Sequence, residues 1–369
     1  MFDLNKCIEC QTCTLACKTT WIHGEGQEHM FWNNVETKPF GSHPVGWDQR
    51  TLEDMDAMEW DEDGVYRGDT IFETEDVDWD ERDHPTEDPI GDDVAGFLPW
   101  DDDWRYPNLG EDEPAGEQVE PDTHFDEDTH PVWFFYLPRI CKHCTFAACA
   151  GGCPVQAIYK RQEDGVVLIN QEECAARLVC NETCPYKKAQ INHAESVSQK
   201  CIGCYPKTEE GRAPQCFENC LGKIRLHGYI NTPEAAETGD PLAEPTNPLD
   251  FLVHEKAVAL PLYPQFGLEP NVYYIPPITA PTGYLEQMFG PGVEDAIQTY
   301  RDMREGEEPA LAGLLHLMGN TEWSLTAFEI DGDEAVGYYE GDEVGRVPIT
   351  EPTVERSATT RKRTSTGWM

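Results

Sequence analysis

Cysteine is the residue type in this sequence whose number and spacing could support chemistry. The 369-residue chain has 15 cysteines, and all of them fall into four tight groups. Closely spaced thiolates bind soft metals, most often as zinc sites or iron–sulfur clusters. The groups are Cys7, Cys10, Cys13 and Cys17 (group one), Cys141, Cys144, Cys149 and Cys153 (group two), Cys174, Cys180 and Cys184 (group three), and Cys201, Cys204, Cys216 and Cys220 (group four).

The spacing within the groups favours iron–sulfur clusters over zinc. Group one has the pattern C-x2-C-x2-C-x3-C, and the other three groups also end in C-x3-C. In ferredoxins with two cubane clusters, this last cysteine ligates the other cluster of the pair. Zinc is the alternative, but structural zinc is usually held by two C-x2-C pairs, which leaves the last cysteine unexplained.

The last cysteine of each group predicts which groups share clusters. Groups two and three are separated by only about 20 residues, so they are expected to form one two-cluster unit, and groups one and four then form the other. The predicted ligand sets are Cys7, Cys10, Cys13 and Cys220 (set one), Cys17, Cys201, Cys204 and Cys216 (set two), Cys141, Cys144, Cys149 and Cys184 (set three), and Cys153, Cys174 and Cys180 (set four).

Set four has one ligand fewer than the others. Arg177 stands where the spacing of group three calls for a cysteine. Three ligands favour a [3Fe-4S] cluster, because an iron without a thiolate is easily lost; the alternative is that water or an external ligand fills the vacant corner. The sequence therefore predicts [4Fe-4S] clusters on sets one to three and a [3Fe-4S] cluster on set four.

The pattern between the cysteines indicates an α+β fold. The connector between groups two and three predicts a strand–turn–strand around Glu163-Asp164-Gly165, and helices are expected over about 283–305 and 308–318. We expect two pseudo-symmetric ferredoxin-like units, a long acidic insertion and a partly helical C-terminal extension. The predicted domains are 1–40 with 195–230 (first unit), 41–130 (insertion), 131–194 (second unit) and 231–369 (C-terminal extension).

Charge is distributed unevenly along the chain, whose formal net charge is −43. Residues 51–130 contain 31 acidic and 3 basic side chains, whereas residues 131–230 contain 9 acidic and 12 basic ones. Such acidity argues against nucleic-acid binding, which needs clustered Lys and Arg, and no apolar run approaches the ~20 residues of a membrane helix. A chain-wide acid excess is typical of a surface adapted to concentrated salt, so a halophilic source is expected.

The acidic insertion also contains aromatic residues, which are unusual in a purely solvated segment. They predict that the insertion is anchored to something, such as another subunit, and a mobile loop with incidental aromatics is the alternative. The aromatic residues are Trp60, Tyr66, Phe72, Trp79, Phe97, Trp100, Trp104 and Tyr106.

Several basic residues lie within a few positions of a cysteine and could help to set the potentials of anionic clusters. About half of them are expected to be ordinary surface residues. They are Lys142, Lys187, Lys188, Lys200, Lys207, Lys223 and Arg225.

The cysteine groups and their surroundings resemble the electron-transfer (beta) subunits of the nitrate reductase-like (type II) molybdopterin oxidoreductases. That family includes nitrate, selenate, chlorate and perchlorate reductases and the dimethyl sulfide and ethylbenzene dehydrogenases. In the family the third group also lacks a cysteine and carries a three-iron cluster, but Trp or Tyr usually occupies the position of Arg177. An Arg there is expected to raise the potential of the cluster unless it points outward. The matching segments are 3–18, 31–39, 135–144, 157–169, 184–192, 200–216 and 271–277.

The resemblance implies a non-catalytic subunit that carries electrons through four clusters. Its partners would be a molybdopterin catalytic subunit and a haem b or other membrane-linked carrier, in an anaerobic respiratory reductase of a halophilic archaeon. Co-export with the catalytic subunit would place it on the extracytoplasmic face of the membrane, and the cytoplasmic face is the alternative. Two alternative functions remain: the same electron-transfer role in a dehydrogenase of the dimethyl sulfide or hydrocarbon type, and a freestanding polyferredoxin.

Overall fold

The computed structural model describes residues 1–55, 60–61, 64–73, 94, 96–104, 133–236 and 239–350, which form a mixed α/β architecture of short helices and small sheets. The helices are α1 (Thr12–Trp21), α2 (Trp47–Asp54), α3 (Ala148–Gly151), α4 (Val179–Glu182), α5 (Tyr205–Thr208), α6 (Gln215–Glu218), α7 (Pro248–Asp250), α8 (Thr282–Phe289), α9 (Val293–Glu305) and α10 (Pro309–Leu317). The strands are β1 (Phe2–Asp3), β2 (Asn34–Lys38), β3 (Phe135–Arg139), β4 (Ile158–Lys160), β5 (Val167–Ile169), β6 (Gln190–Asn192), β7 (Val197–Gln199), β8 (Leu260–Pro261), β9 (Tyr273–Ile275), β10 (Ala327–Asp331), β11 (Glu334–Tyr339) and β12 (Asp342–Pro348).

The N-terminal strand joins the segment before group one to the segment that follows group four. Strand β1 pairs in parallel with β9, with Phe2 opposite Tyr274, and β9 also pairs antiparallel with β8. The rings of Phe2 and Tyr274 stack at 5.3 Å between centroids, and both residues are fully buried. These strands therefore close the main hydrophobic core around the cysteine-bearing segments.

Strands β2 and β3 pair antiparallel and bracket the acidic insertion, so the chain leaves and re-enters the core at one place. Buried ion pairs fix this pairing: Arg139 donates to the Glu36 carboxylate, and Lys38 Nζ lies 2.5 Å from Asp48. The guanidinium of Arg139 also lies 3.7 Å from the centre of the Trp47 ring. A long segment can be inserted at such a point without disturbing the core on either side.

Some aromatic residues of the insertion contact the rest of this chain. Phe97 is buried against the charged ends of Arg50 and Lys187, each 4.0 Å from its ring centre, and the Trp104 ring lies edge-on to His43. Trp79 and Tyr106 lie outside the described residues. The described part of the insertion is thus anchored by aromatic contacts within this chain.

A β-hairpin lies between groups two and three and another between groups three and four. Strands β4 and β5 pair antiparallel, which confirms the strand–turn–strand predicted between groups two and three. Strands β6 and β7 form a corresponding hairpin between groups three and four.

The C-terminal extension differs from the prediction in two respects. A single helix over 283–305 was wrong: α8 ends at Phe289 and α9 begins at Val293, because Gly290-Pro291-Gly292 intervenes and both glycines have positive φ (75° and 91°). The antiparallel sheet β10–β11–β12 was not predicted. Helix α10 packs on this sheet in a second hydrophobic core that contains no cysteine. Among the described residues, no helix combines the length and apolar character needed to cross a membrane.

Candidate metal centres

Four short helices carry cysteines from all four groups and contact one another in pairs. Helix α1 carries Cys13 and Cys17 and contacts α6, which carries Cys216. In the same way α3, with Cys149, contacts α4, with Cys180. Group one therefore lies against group four, and group two lies against group three.

The four cysteines of set one line a common cavity: Cys7, Cys10, Cys13 and Cys220. Cys10 is exposed, and its Sγ accepts a hydrogen bond from the Thr12 hydroxyl at 3.4 Å. Burial raises the pKa of Cys7 to about 12, and the Cys13 and Cys220 thiols act in the same direction.

The cysteines of set two also line one cavity: Cys17, Cys201, Cys204 and Cys216. Burial raises the pKa of Cys17, and the other three thiols of the set add to the effect. Trp21 Nε1 donates to Cys204 Sγ at 3.2 Å, and the Gly203 amide donates to Cys201 Sγ at 3.4 Å. The indole of Trp21 thereby links the end of α1 directly to a group-four cysteine.

The cysteines of set three lie close enough to influence one another's ionisation. Burial raises the pKa of Cys149, and the thiols of Cys184, Cys141 and Cys144 act in the same direction. Burial also acts to raise the pKa of Cys141, but His143 and Lys200 outweigh it and lower this pKa to about 5.

Set four contains three cysteines and Arg177, which all line one cavity: Cys153, Cys174, Cys180 and Arg177. Arg177 is exposed and sits between two residues with left-handed backbone, Ala176 and Leu178. Ser198 contacts two of the three sulfurs: its amide donates to Cys174 Sγ at 3.2 Å, and its Oγ lies 3.0 Å from Cys180 Sγ. Sequence reasoning missed Ser198 and Trp21, because their positions carry no recognisable metal-binding signal.

The sets follow one another in a fixed order. Burial raises the pKa of Cys216 of set two, and Cys13 of set one acts in the same direction. Burial raises the pKa of Cys201 of set two to about 12, and Cys141 of set three adds to this. Burial likewise raises the pKa of Cys180 of set four to about 11, with Cys184 of set three acting in the same direction. Each set therefore neighbours the next, from set one to set four.

Most of the basic residues beside the cysteines are buried, contrary to the expectation that half lie on the surface. Only Lys207 and Lys223 of the seven are not; the Lys223 side chain is exposed. Lys200 lies between sets two and three, where its Nζ contacts the Cys201 carbonyl at 3.1 Å and Cys141 Sγ at 3.6 Å. The buried members are Lys142, Lys187, Lys188, Lys200 and Arg225.

The donor sets fit iron–sulfur clusters. Burial and neighbouring thiols raise the pKa of Cys17 and Cys149, so the cysteines of one set can all be thiolates together only when cations are bound. Iron bound to each sulfur provides them, and N–H and O–H donors aimed at the sulfurs are typical of such ligands. Within the described ranges, no three His, Cys, Asp or Glu side chains converge to hold a single metal ion.

The segment that contains three of the four cysteine groups matches a known protein family. Residues 132–230, which span groups two, three and four, match the family described as "4Fe-4S dicluster domain".

Full-length relatives extend the similarity over most of the chain. The selenate reductase subunit beta of Thauera selenatis is 38% identical, with 81% of this chain and 88% of the relative covered. The respiratory nitrate reductase subunit beta of Haloferax mediterranei is 39% identical, with 83% and 85% covered. The dimethylsulfide dehydrogenase subunit beta of Rhodovulum sulfidophilum is 35% identical, with 82% and 89% covered.

Proposed function

The chain belongs to the family of iron–sulfur beta subunits found in nitrate, selenate and chlorate reductases and in dimethyl sulfide dehydrogenase, and on this basis we propose that it carries electrons through three [4Fe-4S] clusters and one [3Fe-4S] cluster. Sets one, two and three would hold the cubane clusters, and set four the three-iron cluster. Bound there, iron–sulfur clusters supply one-electron carriers. The protein's own contribution is to hold the four sets in order and to tune them.

The neighbouring positions of the sets are the observation that carries this proposal. Helix α1 carries Cys13 of set one and Cys17 of set two, and Lys200 contacts both the Cys201 carbonyl of set two and Cys141 Sγ of set three. Helix α3, with Cys149 of set three, contacts α4, with Cys180 of set four. Set one reaches the surface at Cys10, and set four at the exposed Arg177. Electrons could therefore pass from set to set between these two exposed points.

The surroundings of set one support docking of a partner subunit at that end. Three large apolar side chains next to its cysteines are mostly exposed: Ile8 (61%), Leu15 (62%) and Leu221 (65%). Exposed apolar residues clustered around a functional site are typical of interaction surfaces. We propose a molybdopterin catalytic subunit as one partner of the chain and a haem b or other membrane-linked carrier as the other.

The type of complex, its source and its side of the membrane are proposed from the resemblance to the family. We propose that the complex is an anaerobic respiratory reductase of a halophilic archaeon, held at the extracytoplasmic face of the membrane through its partners. Protease treatment of intact cells would degrade the subunit in that case, whereas a subunit on the cytoplasmic face would stay protected until lysis.

Iron analysis and electron paramagnetic resonance (EPR) of the purified complex test the cluster assignment. We expect about 15 iron atoms in this subunit and a three-iron signal in the oxidised sample. Three further signals are expected on reduction. Four complete cubane clusters, or zinc in place of iron, would contradict the proposal.

A further inference from the structure

Arg225 is a buried cation between sets one and two, and electron transfer through the clusters does not by itself explain why it is there. Its side chain is only 2% exposed, and its backbone is fixed by the bridge between Phe2 and Arg225. Hydrogen bonds from Asp3 N to Ile224 O and from Leu226 N to Met1 O hold the chain on both sides. The position of the guanidinium is therefore set by the strand β1, not by a flexible loop.

The guanidinium has aromatic neighbours but lacks acceptors for its N–H groups. It lies 4.6 Å from the ring centre of Phe2 and 5.6 Å from that of Phe217. Within the described residues, neither Nε nor Nη1 has a hydrogen-bond partner, and the charged groups that act most strongly on Arg225 include no carboxylate. Burying an unpaired charge is strongly unfavourable, so an arrangement of this kind requires an anion that the side chain can face.

The anions that act on Arg225 are cysteine thiolates of two different sets. Burial acts to lower its pKa, but Cys13, Cys216, Cys220 and Cys7 outweigh it and raise the pKa above its ordinary value. Arg225 also lines the cavity of set one, and Phe217, against which it packs, lines that of set two. The side chain thus lines set one directly and is separated from the cavity of set two by the Phe217 ring.

Lys200 provides a contrast at the next junction. Its Nζ donates to the carbonyls of Val167 and Cys201 and to the Cys141 sulfur, so its hydrogen-bonding capacity is used by the protein. Arg225 retains donors that the protein leaves unused, and these point to a ligand.

We propose that Arg225 is a positioning and tuning residue that donates hydrogen bonds to the clusters of sets one and two and raises the potentials of both. The proposal rests on the cluster assignment of the preceding subsection. A positive charge beside an anionic cluster stabilises its reduced, more negative form, and unlike a ligand it acts on two neighbouring clusters together. Arg225 would therefore shift the reduction potentials of the clusters in sets one and two in the same direction.

The test is an EPR-monitored redox titration of the complex with Arg225→Met and Arg225→Lys. Methionine keeps an unbranched stem between the two rings but removes the charge. We expect the ratio of reduced to oxidised cluster at fixed potential to fall about tenfold for two of the four clusters, a shift of about 59 mV. The other two clusters should keep their potentials, and Arg225→Lys should shift the first two by less than Arg225→Met.

Unchanged potentials in an Arg225→Met variant with full iron content would overturn the proposal, and so would an equal shift of all four clusters. If the methionine variant does not retain its clusters, pulsed EPR of the native complex labelled with [15N]arginine decides instead. A 15N coupling on two cluster signals that disappears in Arg225→Lys supports the role, and its absence in the native complex refutes it. Missing iron or missing signals in the native complex would instead count against the cluster assignment.

Discussion

At the scale of single residues, Arg177 distinguishes set four from the other three sets. It lines the same cavity as Cys153, Cys174 and Cys180, at the position where the spacing calls for a cysteine. Arg177→Cys should therefore complete a fourth cubane site. We expect the three-iron EPR signal to disappear and a fourth [4Fe-4S] signal to appear on reduction, with about one more iron atom per chain.

Arg177→Ser is the matched control for this substitution. It removes the cation but adds no thiolate, so the three-iron signal should persist. Retention of the three-iron signal by Arg177→Cys, with the new cysteine unmodified, would show that Arg177 does not face the vacant corner.

Hydrogen bonds to cysteine sulfur provide a second residue-level test. The Ser198 hydroxyl lies 3.0 Å from Cys180 Sγ in set four, and Trp21 Nε1 donates to Cys204 in set two at 3.2 Å. Such donors stabilise the reduced cluster, so their removal should lower its potential. In a redox titration, Ser198→Ala should lower the potential of the three-iron cluster alone.

Trp21→Phe serves as the reciprocal control, because it should lower the potential of one [4Fe-4S] cluster and leave the three-iron cluster unchanged. A common shift in both variants would mean that the substitutions act through general loosening of the fold and not through the lost bonds.

At the scale of helices and strands, the sequence was most informative where the spacing itself has a chemical meaning. The cysteine groups predicted which segments meet, and α1 contacts α6 and α3 contacts α4 accordingly. The turn at Glu163-Asp164-Gly165 likewise predicted the β4–β5 hairpin. Both signals are local or follow from a ligand-exchange rule, so they do not depend on long-range packing.

Features that depend on long-range packing were missed. The break between α8 and α9 arises from Gly290-Pro291-Gly292, a signal present in the sequence that the helical period on either side obscured. The sheet β10–β12 contains Asp-Gly and Glu-Gly turns between its strands, but its acidic composition resembles a solvated surface. The burial of Lys142, Lys188 and Arg225 cannot be predicted from one sequence, because it depends on which segments cover them.

Helix α10 offers a test of the second core. A Cβ on Gly313 would lie 2.9 Å from both Ala335 Cβ and Ile330 Cδ1, so the helix lies flat against β10 and β11 only because this residue is glycine. Gly313→Ala should therefore destabilise the protein by roughly 1–3 kcal/mol through overpacking. Thermal unfolding of the cluster-loaded protein, followed by circular dichroism, measures the effect.

Gly283 in α8 is the matched control, since a Cβ there meets no atom within 4 Å. Gly283→Ala should be neutral or slightly stabilising, because alanine is the better helix former. The EPR signals should be unchanged in both variants, because the second core contains no cysteine. Equal stability of the two variants would show that α10 can move away from the sheet at no cost.

At the scale of the whole molecule, the net charge of −43 predicts how the stability of the protein depends on salt. Mutual repulsion of so many carboxylates opposes compaction in dilute buffer, whereas at about 1 M salt screening shortens its range to about 3 Å. We expect the unfolding temperature and the association with partners to rise steeply with KCl concentration. Sucrose at matched osmolality is the control, because it does not screen charge. Full stability in dilute buffer together with loss of structure in molar KCl would contradict the halophilic assignment.

We propose that the exposed apolar residues around set one form the docking surface, and this role can be tested separately from stability. Leu221 follows Cys220 directly and is 65% exposed, so its contribution to folding is small, while a charge there would be buried on docking of a partner. Leu221→Glu should weaken association with the catalytic subunit at least tenfold, measured by co-purification at fixed salt, and leave all four EPR signals intact. Leu242→Glu is the matched control, because Leu242 is also mostly exposed (56%). It lies beside the C-terminal sheet, where the Pro241 carbonyl accepts a hydrogen bond from the Ile330 amide of β10. Equal weakening by both substitutions would point to general repulsion between acidic surfaces, whereas no weakening by Leu221→Glu would exclude the set-one face as the docking site.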